Sequence, residues 1–424
     1  MSPVRPTVQV VGRTLEPGHH GLRDFLTRTA QPYEFFEEGS PEADELLARH
    51  LPSGAALPVL IDGDDVIESA TVESVAARWN LSDPPARAHY DLVIVGAGPA
   101  GLAAAVYAAS DGLSTLIVEA DVPGGQASQT SLIENFFGFV DGIGGAELAR
   151  LAGRQAEGFG AELVMMRRVV SGGVAPDGQV ALTLDGDHLV TADVAIVGAG
   201  MEWRRLEVAG IAELLDRGVY YGAGRSEAVR CGGDDVFVVG AGNSAGQAVM
   251  HLAGAGARVT MAVRGDRLGR TMSAYLVERI ESHPLIDVRL ETQVTALGSS
   301  DERLAWVEIT DAGGRSERHD AAALFLCIGG VPRTGWAAGA GVQTNAAGYV
   351  LTGPDLLVEG QRPAGWLLDR DPLALETTLP GVFAAGDVRS GSIKRVAGAV
   401  GEGAMAAALV HRRLDELAGV TARH

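Results

Sequence analysis

Cysteine is nearly missing from this chain: its 424 residues contain two, Cys231 and Cys327, which stand 96 positions apart and form no CxxC. Neither a disulfide framework nor a cysteine-based zinc site can be read from that spacing. Basic residues are also short, with 34 Lys and Arg against 54 Asp and Glu, for a formal charge of −20. A counterion-release route to nucleic acid has no basic surface to work with, so nucleic acid is not an expected partner. Long apolar runs are missing too. No stretch approaches the roughly 18 to 20 residues a membrane helix needs, and residues 1–25 hold no apolar run ahead of a small-residue cleavage site. The expectation is a cytoplasmic protein with no membrane partner and no metal.

Glycine is what the chain has in excess, 57 residues, about twice the average usage of roughly 7%. It falls in strand–turn–helix contexts and shows no collagen-like period. Two of those contexts are dinucleotide fingerprints, their first glycines 144 residues apart: DLVIVGAGPAGLAAAVYAASDGLSTLIVE from Asp91 and DVFVVGAGNSAGQAVMHLAGAGARVTMAVR from Asp235. In the first, Gly96, Gly98 and Gly101 supply the tight turn, the close approach to a pyrophosphate and the close helix–strand packing. Glu119 ends the following strand, where a carboxylate takes a ribose hydroxyl pair. In the second, Gly240, Gly242 and Ala245 repeat the turn, and Arg264 stands after the strand, which suits a ribose 2′-phosphate. Two different nucleotides in one chain imply electron transfer between them.

Length and an apolar content of 46% allow several cores. The expected class is α/β, two Rossmann-like three-layer domains with the second inserted in the first, behind a smaller α/β domain. The boundaries read as 1–81, a linker 82–88 (SDPPARA, with two prolines that cannot continue a helix), 89–205, 206–330 and 331–424. Residues 1–81 read as β (8–11), α (21–30), β (33–37), α (41–50), β (59–62), β (66–68), α (72–79). That order, with Pro58 ahead of the third strand, resembles the thioredoxin/glutaredoxin fold, in which the proline at this corner is commonly cis. The stretch after its first strand, GRTLEPGHHG, has no cysteine, so the module reads as a docking or packing domain; His19 and His20 read as solvated residues at a helix start.

From Tyr90 onward the chain resembles the low-molecular-weight thioredoxin reductases and their two-dinucleotide flavoprotein relatives. The matching segments are GAGPAG with Glu119, GGQ (124–126), IENFFGF (133–139), GAGNSA with Arg264, IGGVPRT (328–334), PGVFAAGDV (380–388) and KRVAGAVGEGAMAA (394–407). The resemblance implies FAD on Gly96, Gly98, Pro99, Ala100, Gly101 and Glu119, and beside Gly124, Gly125, Gln126 and Asn135. It further places Val169, Gly386, Asp387, Arg395, Val396 and Ala397 around the flavin. NADPH, in preference to NADH, is implied on Gly240, Gly242, Asn243, Ser244, Ala245, Arg264, Arg270, Ile328 and Gly329, with Arg267 near by. A homodimer, and a rotation of the second unit about its two connections, are implied in the same way.

The resemblance breaks where the family carries CxxC and an acidic residue. The matching stretch here is YYGAGRSEAVRC (221–231), with Gly222-Ala223-Gly224-Arg225 at the dithiol position. Without two thiols the electron pair cannot pass to an internal disulfide. The acceptor is then external: a ferredoxin- or flavodoxin-like small redox protein, a quinone, oxygen or a partner's disulfide. A flavin-binding redox sensor without turnover is the rival from another class. No catalytic side chain is nominated; Arg225 and Glu227 would shape the site of the missing dithiol. Cys231 reads either as a lone redox thiol or as a small apolar residue leading into the fingerprint strand, and Cys327 as core.

Overall fold

The computed structural model describes residues 6–14, 16–51, 54–130, 132–175, 178–215, 217–222, 231–270, 272–301 and 303–419. Arg225 and Glu227, with the rest of the stretch 223–230, lie outside the described residues. The chain is mixed α/β throughout.

The amino-terminal segment runs β1 (Val8–Gly12), α1 (Pro17–Arg28), β2 (Tyr33–Glu37), α2 (Pro41–His50), β3 (Val59–Asp62), β4 (Asp65–Ile67) and α3 (Val72–Arg78). Its sheet has the order β2-β1-β3-β4, with β1 parallel to β2 and antiparallel to β3. The Leu57–Pro58 peptide bond is cis. Helix α1 opens at Pro17, four residues before the periodicity suggested. His19 and His20 consequently sit inside it and are buried, which corrects their reading as solvated. His19 Nδ1 accepts the Arg13 N–H at 2.7 Å, and burial holds its imidazole below the ordinary range.

This segment packs against the unit after the linker. Val122, from the loop after that unit's second strand, is buried in the segment's own core beside Leu26 and Trp79. Arg28 Nη2 donates to Asp121 Oδ2 at 2.6 Å. The expected linker 82–88 is pinned as well: Ser82 O accepts from Arg167 Nε, and the Ala86 N–H donates to Glu162 at 2.6 Å.

The first large sheet is built from β5 (His89–Val95), β6 (Thr115–Val118), β7 (Glu162–Val164), β8 (Val169–Val174), β9 (Val180–Leu184) and β10 (His188–Val197), in the order β7-β6-β5-β10-β9-β8. Helices α4 (Pro99–Ser110) and α5 (Gly145–Gly158) cover one face. α4 is apolar nearly all round, as a helix enclosed on both sides must be.

The chain then leaves through β11 (Met201–Trp203) to α6 (Ile211–Leu214), β12 (Val219–Tyr221), β13 (Asp235–Val239), α7 (Asn243–Gly254), β14 (Arg258–Ala262), α8 (Ala274–Glu281) and β15 (Ile286–Arg289). A meander β16 (Thr292–Ser300), β17 (Arg303–Asp311), β18 (Ser316–Asp320) precedes β19 (Ala323–Leu326). The second parallel sheet has the order β12-β19-β13-β14-β15, with apolar cores on its two faces. The chain returns through β20 (Gly330–Pro332), which pairs antiparallel with β11, so outgoing and incoming connections form one two-stranded ribbon.

After α9 (Gly335–Gly339), β21 (Val382–Ala384) rejoins the first sheet beside β10, at residues 195–197, beyond the part of β10 that pairs with β9. Helix α10 (Val396–Leu417) closes over α4, and a Cβ at Gly403 would stand 2.1 Å from Ala100 O. Near its end Arg370 reaches both the Glu376 carboxylate, which is fully buried, and Glu416 at 2.6 Å each. Among the described residues no helix is long and apolar enough to cross a membrane.

Candidate functional site

The glycine turns set the geometry. Gly96, at φ +105°, ends β5 where a Cβ would stand 2.4 Å from Gly198 O. Gly240, at φ +140°, does the same against Cys327 O at 2.3 Å. Both turns are therefore pressed backbone to backbone on the neighbouring strand's exit, a contact only glycine permits. Gly98 and Gly242 are the N-caps of α4 and α7, without side-chain caps. Their first-turn N–H groups remain available to a phosphate.

One continuous cleft follows the carboxyl ends of the first sheet. Gly98, Pro99 and Ala100 line it from the start of α4, and Glu119 from the end of β6. Gly125, Gln126 and Asn135 line another wall; Gly386, Asp387, Arg395 and Val396 complete it from the tail. Asn243 and Ser244, from the start of α7, line the same cleft, so the second fingerprint helix faces the first unit's site.

Each group is held by a traceable contact. Glu119 accepts the Ala97 N–H at 2.7 Å with one oxygen and the Asp121 N–H at 3.0 Å with the other. Burial nevertheless holds its carboxyl above the usual range. Glu402 accepts the Gly386 N–H at 2.7 Å and pairs with Arg389 at 2.7 Å, fixing the loop that presents Asp387. Burial raises the Asp387 carboxyl as well, against the opposing charge of Lys394. Gln126 Nε2 donates to Met201 O at 3.2 Å, tying the GGQ turn to the connecting ribbon. Asn243 Oδ1 accepts from both Ser273 N and Oγ, and Ser273 Oγ accepts from Arg395 Nη2 at 3.2 Å, a chain of contacts running from the second unit to the first.

Some expected residues fall elsewhere. Gly96, Gly101 and Gly124 lie beneath the lining: a Cβ on Gly101 would meet Gly96 O at 1.9 Å, one on Gly124 would meet the Ala149 side chain at 2.7 Å. Val169 does not reach the cleft; it is buried in the apolar core on the sheet's other face, with Val180 and Leu184. Ala397 is exposed, because Val396 and Ala399, three apart, share the helix face that meets the cleft. Gly240 and Ala245 are packing positions; Arg264, Arg267 and Arg270 are exposed after β14, outside the cleft lining, and half-buried Ile328 and exposed Gly329, after β19, also lie outside it. Both cysteines are buried and neither is in a disulfide. Lining residues to which no role was assigned include Arg333, inside the IGGVPRT segment, and Gln129, Trp203 and the loop 198–201.

The description "Pyridine nucleotide-disulphide oxidoreductase" fits residues 90–403. The chain belongs to that family. It is 31% identical over 331 residues to the thioredoxin reductase of Bacillus subtilis (strain 168), covering 77% of this chain and 96% of that one. It is 30% identical over 350 residues to an alkyl hydroperoxide reductase component of Staphylococcus epidermidis, covering 81% of this chain and 62% of the relative. Among solved structures, the thioredoxin reductase of T. acidophilum superposes with a TM-score of 0.68 at 28% identity, covering 78% of this chain and 100% of that one. FAD and NADPH are the cofactors of this thioredoxin-reductase-like group. The family match starts at residue 90, so the amino-terminal segment lies outside it.

Proposed function

We propose that the chain is an NADPH-dependent FAD oxidoreductase that delivers electrons to an external acceptor without an internal dithiol. The observation that carries this reading is the shared cleft, lined at once by the start of α4 and by Asn243 and Ser244 of α7. The donor set fits FAD: a bare helix N-terminus for pyrophosphate, Glu119 for ribose, Asp387 for the ribityl–pyrophosphate portion, and the α10 N-terminus near Val396 for the ring. FAD, when bound, takes a hydride from the nicotinamide and gives the electron pair up again. The chain's own part is to bind, orient and exclude water. Partial positive charge at the α10 N-terminus favours anionic character on the ring portion beside it. Arg264 and Arg270, exposed after β14, supply cations for the 2′-phosphate of NADPH.

The sequence 221–231 contains one cysteine, Cys231, and both cysteines of the chain are buried, which argues against a dithiol relay. The amino-terminal segment, thioredoxin-like in its strand order and lacking cysteine, serves packing and docking. The test is anaerobic addition of NADPH to the purified protein, followed by a panel of acceptors. Rapid loss of the flavin absorbance, with slow or absent reduction of thioredoxin disulfide, is the expected result. No loss of absorbance would leave only a flavin-binding role.

A further inference from the structure

Beside the flavin cleft lies a second cavity of about 460 Å³, roofed by α1 of the amino-terminal segment and floored by α5 and β12. The two spaces adjoin, since Arg28, Gln129, Thr130 and Trp203 line both. Its volume is that of a small-molecule site.

The walls carry specific chemistry. Gln129 Oε1 and Arg28 Nε are each shut off from solvent with no hydrogen-bond partner. Buried polar atoms left in that state cost free energy, and they point to a ligand with a complementary acceptor and donor. Arg28 is the one lysine or arginine among the described lining residues, and Asp121 and Asp24 already neutralise its charge at 2.6 and 3.5 Å. Asp24 and Glu147 line the cavity too, so an anionic ligand meets net negative charge there. Trp203 offers a flat apolar wall at the junction with the flavin cleft.

We propose that this chamber binds the electron acceptor, and that the acceptor is a small uncharged planar quinone. The proposal rests on the flavin oxidoreductase reading above. A quinone carbonyl accepts the Arg28 Nε–H, and the hydroxyl it becomes donates to Gln129 Oε1. The balance is NADPH + H⁺ + quinone → NADP⁺ + hydroquinone. The nicotinamide C4–H bond breaks, its hydride supplies both electrons and one proton, solvent supplies the other proton, and both carbonyl oxygens end as O–H. An oxidised low-molecular-weight thiol bearing carboxylates is disfavoured by Asp24 and Glu147.

Gly21 provides the test. It lies in α1 on the chamber wall, away from the flavin cleft, and a Cβ there would meet nothing within 4 Å. Gly21→Phe therefore fills the chamber without a clash at its first atom. The probe is a water-soluble naphthoquinone titrated into the FAD-loaded protein, read by quenching of tryptophan fluorescence, with Trp203→Phe as the variant that removes the local reporter. Saturable quenching, lost in Trp203→Phe and at least ten-fold weaker in affinity in Gly21→Phe, is expected, with NADPH bleaching of the flavin unchanged in Gly21→Phe. Unchanged quinone affinity in Gly21→Phe, quenching that persists in Trp203→Phe, or tighter binding of oxidised glutathione would overturn the proposal. Should Gly21→Phe not fold, Ala146→Phe, on the α5 wall of the chamber and outside the flavin cleft, takes its place with the same expected ten-fold loss of quinone affinity. Flavin bleaching without quinone binding sinks the chamber alone; absent bleaching sinks the oxidoreductase reading, whatever the quenching shows.

Discussion

Arg28 Nη2 and Asp121 Oδ2 meet at 2.6 Å, joining the last turn of α1 to the loop after β6, with the Arg28 side chain only 14% exposed. The pair fastens the amino-terminal segment to the first large sheet. Asp121→Asn removes the charge while keeping the shape. The expected result is faster tryptic cleavage between residues 82 and 88 and an unfolding free energy lower by about 1–3 kcal/mol; an unchanged digestion pattern would show that Val122 and the hydrogen bonds at Ser82 and Ala86 hold the segment without this pair.

Glu119 is the carboxylate at the end of β6 and is braced by two backbone N–H groups. Glu119→Ala is expected to weaken FAD binding by about 1.5–3 kcal/mol, roughly ten- to a hundred-fold. The check is the flavin-to-protein ratio after gel filtration, followed by a fluorescence titration of the apoprotein with FAD.

Arg264 follows β14 on an exposed face. Arg264→Ala is expected to raise the KM for NADPH about ten-fold, about 1.4 kcal/mol, and to leave the KM for NADH where it was. Steady-state assays with both nucleotides read this directly. Equal losses with the two would place the 2′-phosphate elsewhere.

Burial pushes the Cys327 thiol up to about 12, against about 8.5 in an unfolded chain. Above pH 8.5 the unfolded chain sheds a proton that the native one keeps. Stability therefore falls with rising pH, by up to about 1.4 kcal/mol per unit, and is unaffected by this group at lower pH. Cys327→Ala removes that slope. Once the curves are aligned at pH 8 to remove a constant offset from the smaller side chain, the urea midpoint of the wild type should fall below that of Cys327→Ala progressively toward pH 10.

The Glu376 carboxylate is fully buried, paired with Arg370 and accepting the Leu373 and Gly381 N–H groups at 2.9 and 3.0 Å. Arg370→Leu strands that charge. A destabilisation of about 3–5 kcal/mol is expected, and Glu376→Gln in the same background should recover part of it. Thermal unfolding of the three proteins is the measurement.

Local pattern made much of this molecule legible. β2, α2 and β3 have the limits read from the sequence. Positions fixed by a turn and a helix start were readable because the motif and the geometry are the same object: Gly98, Pro99 and Ala100 must line whatever α4 points at. The roles of Arg333, although it lies inside IGGVPRT, and of Gln129 and Trp203 were not readable. Each reaches the cleft from a segment brought there only by the pairing of β11 with β20 or by the seating of α5, and long-range packing leaves no local period. Val169 went astray for a related reason. Which face of a hairpin residue turns inward depends on register with β9, which the sequence does not display. His19 and His20 were misread because the start of α1 at Pro17 rotates both into the core.

The ring of His20, on α1, lies 5.5 Å from that of Tyr220, on β12 of the second parallel sheet. The segment that carries His20 is clamped to the first sheet by Arg28 and Val122. A body fixed to one plate and leaning on another acts as a stop. A rotation of the second nucleotide unit, as the family resemblance implies, would part those two rings together with the Arg395–Ser273 and Arg279–Glu134 contacts.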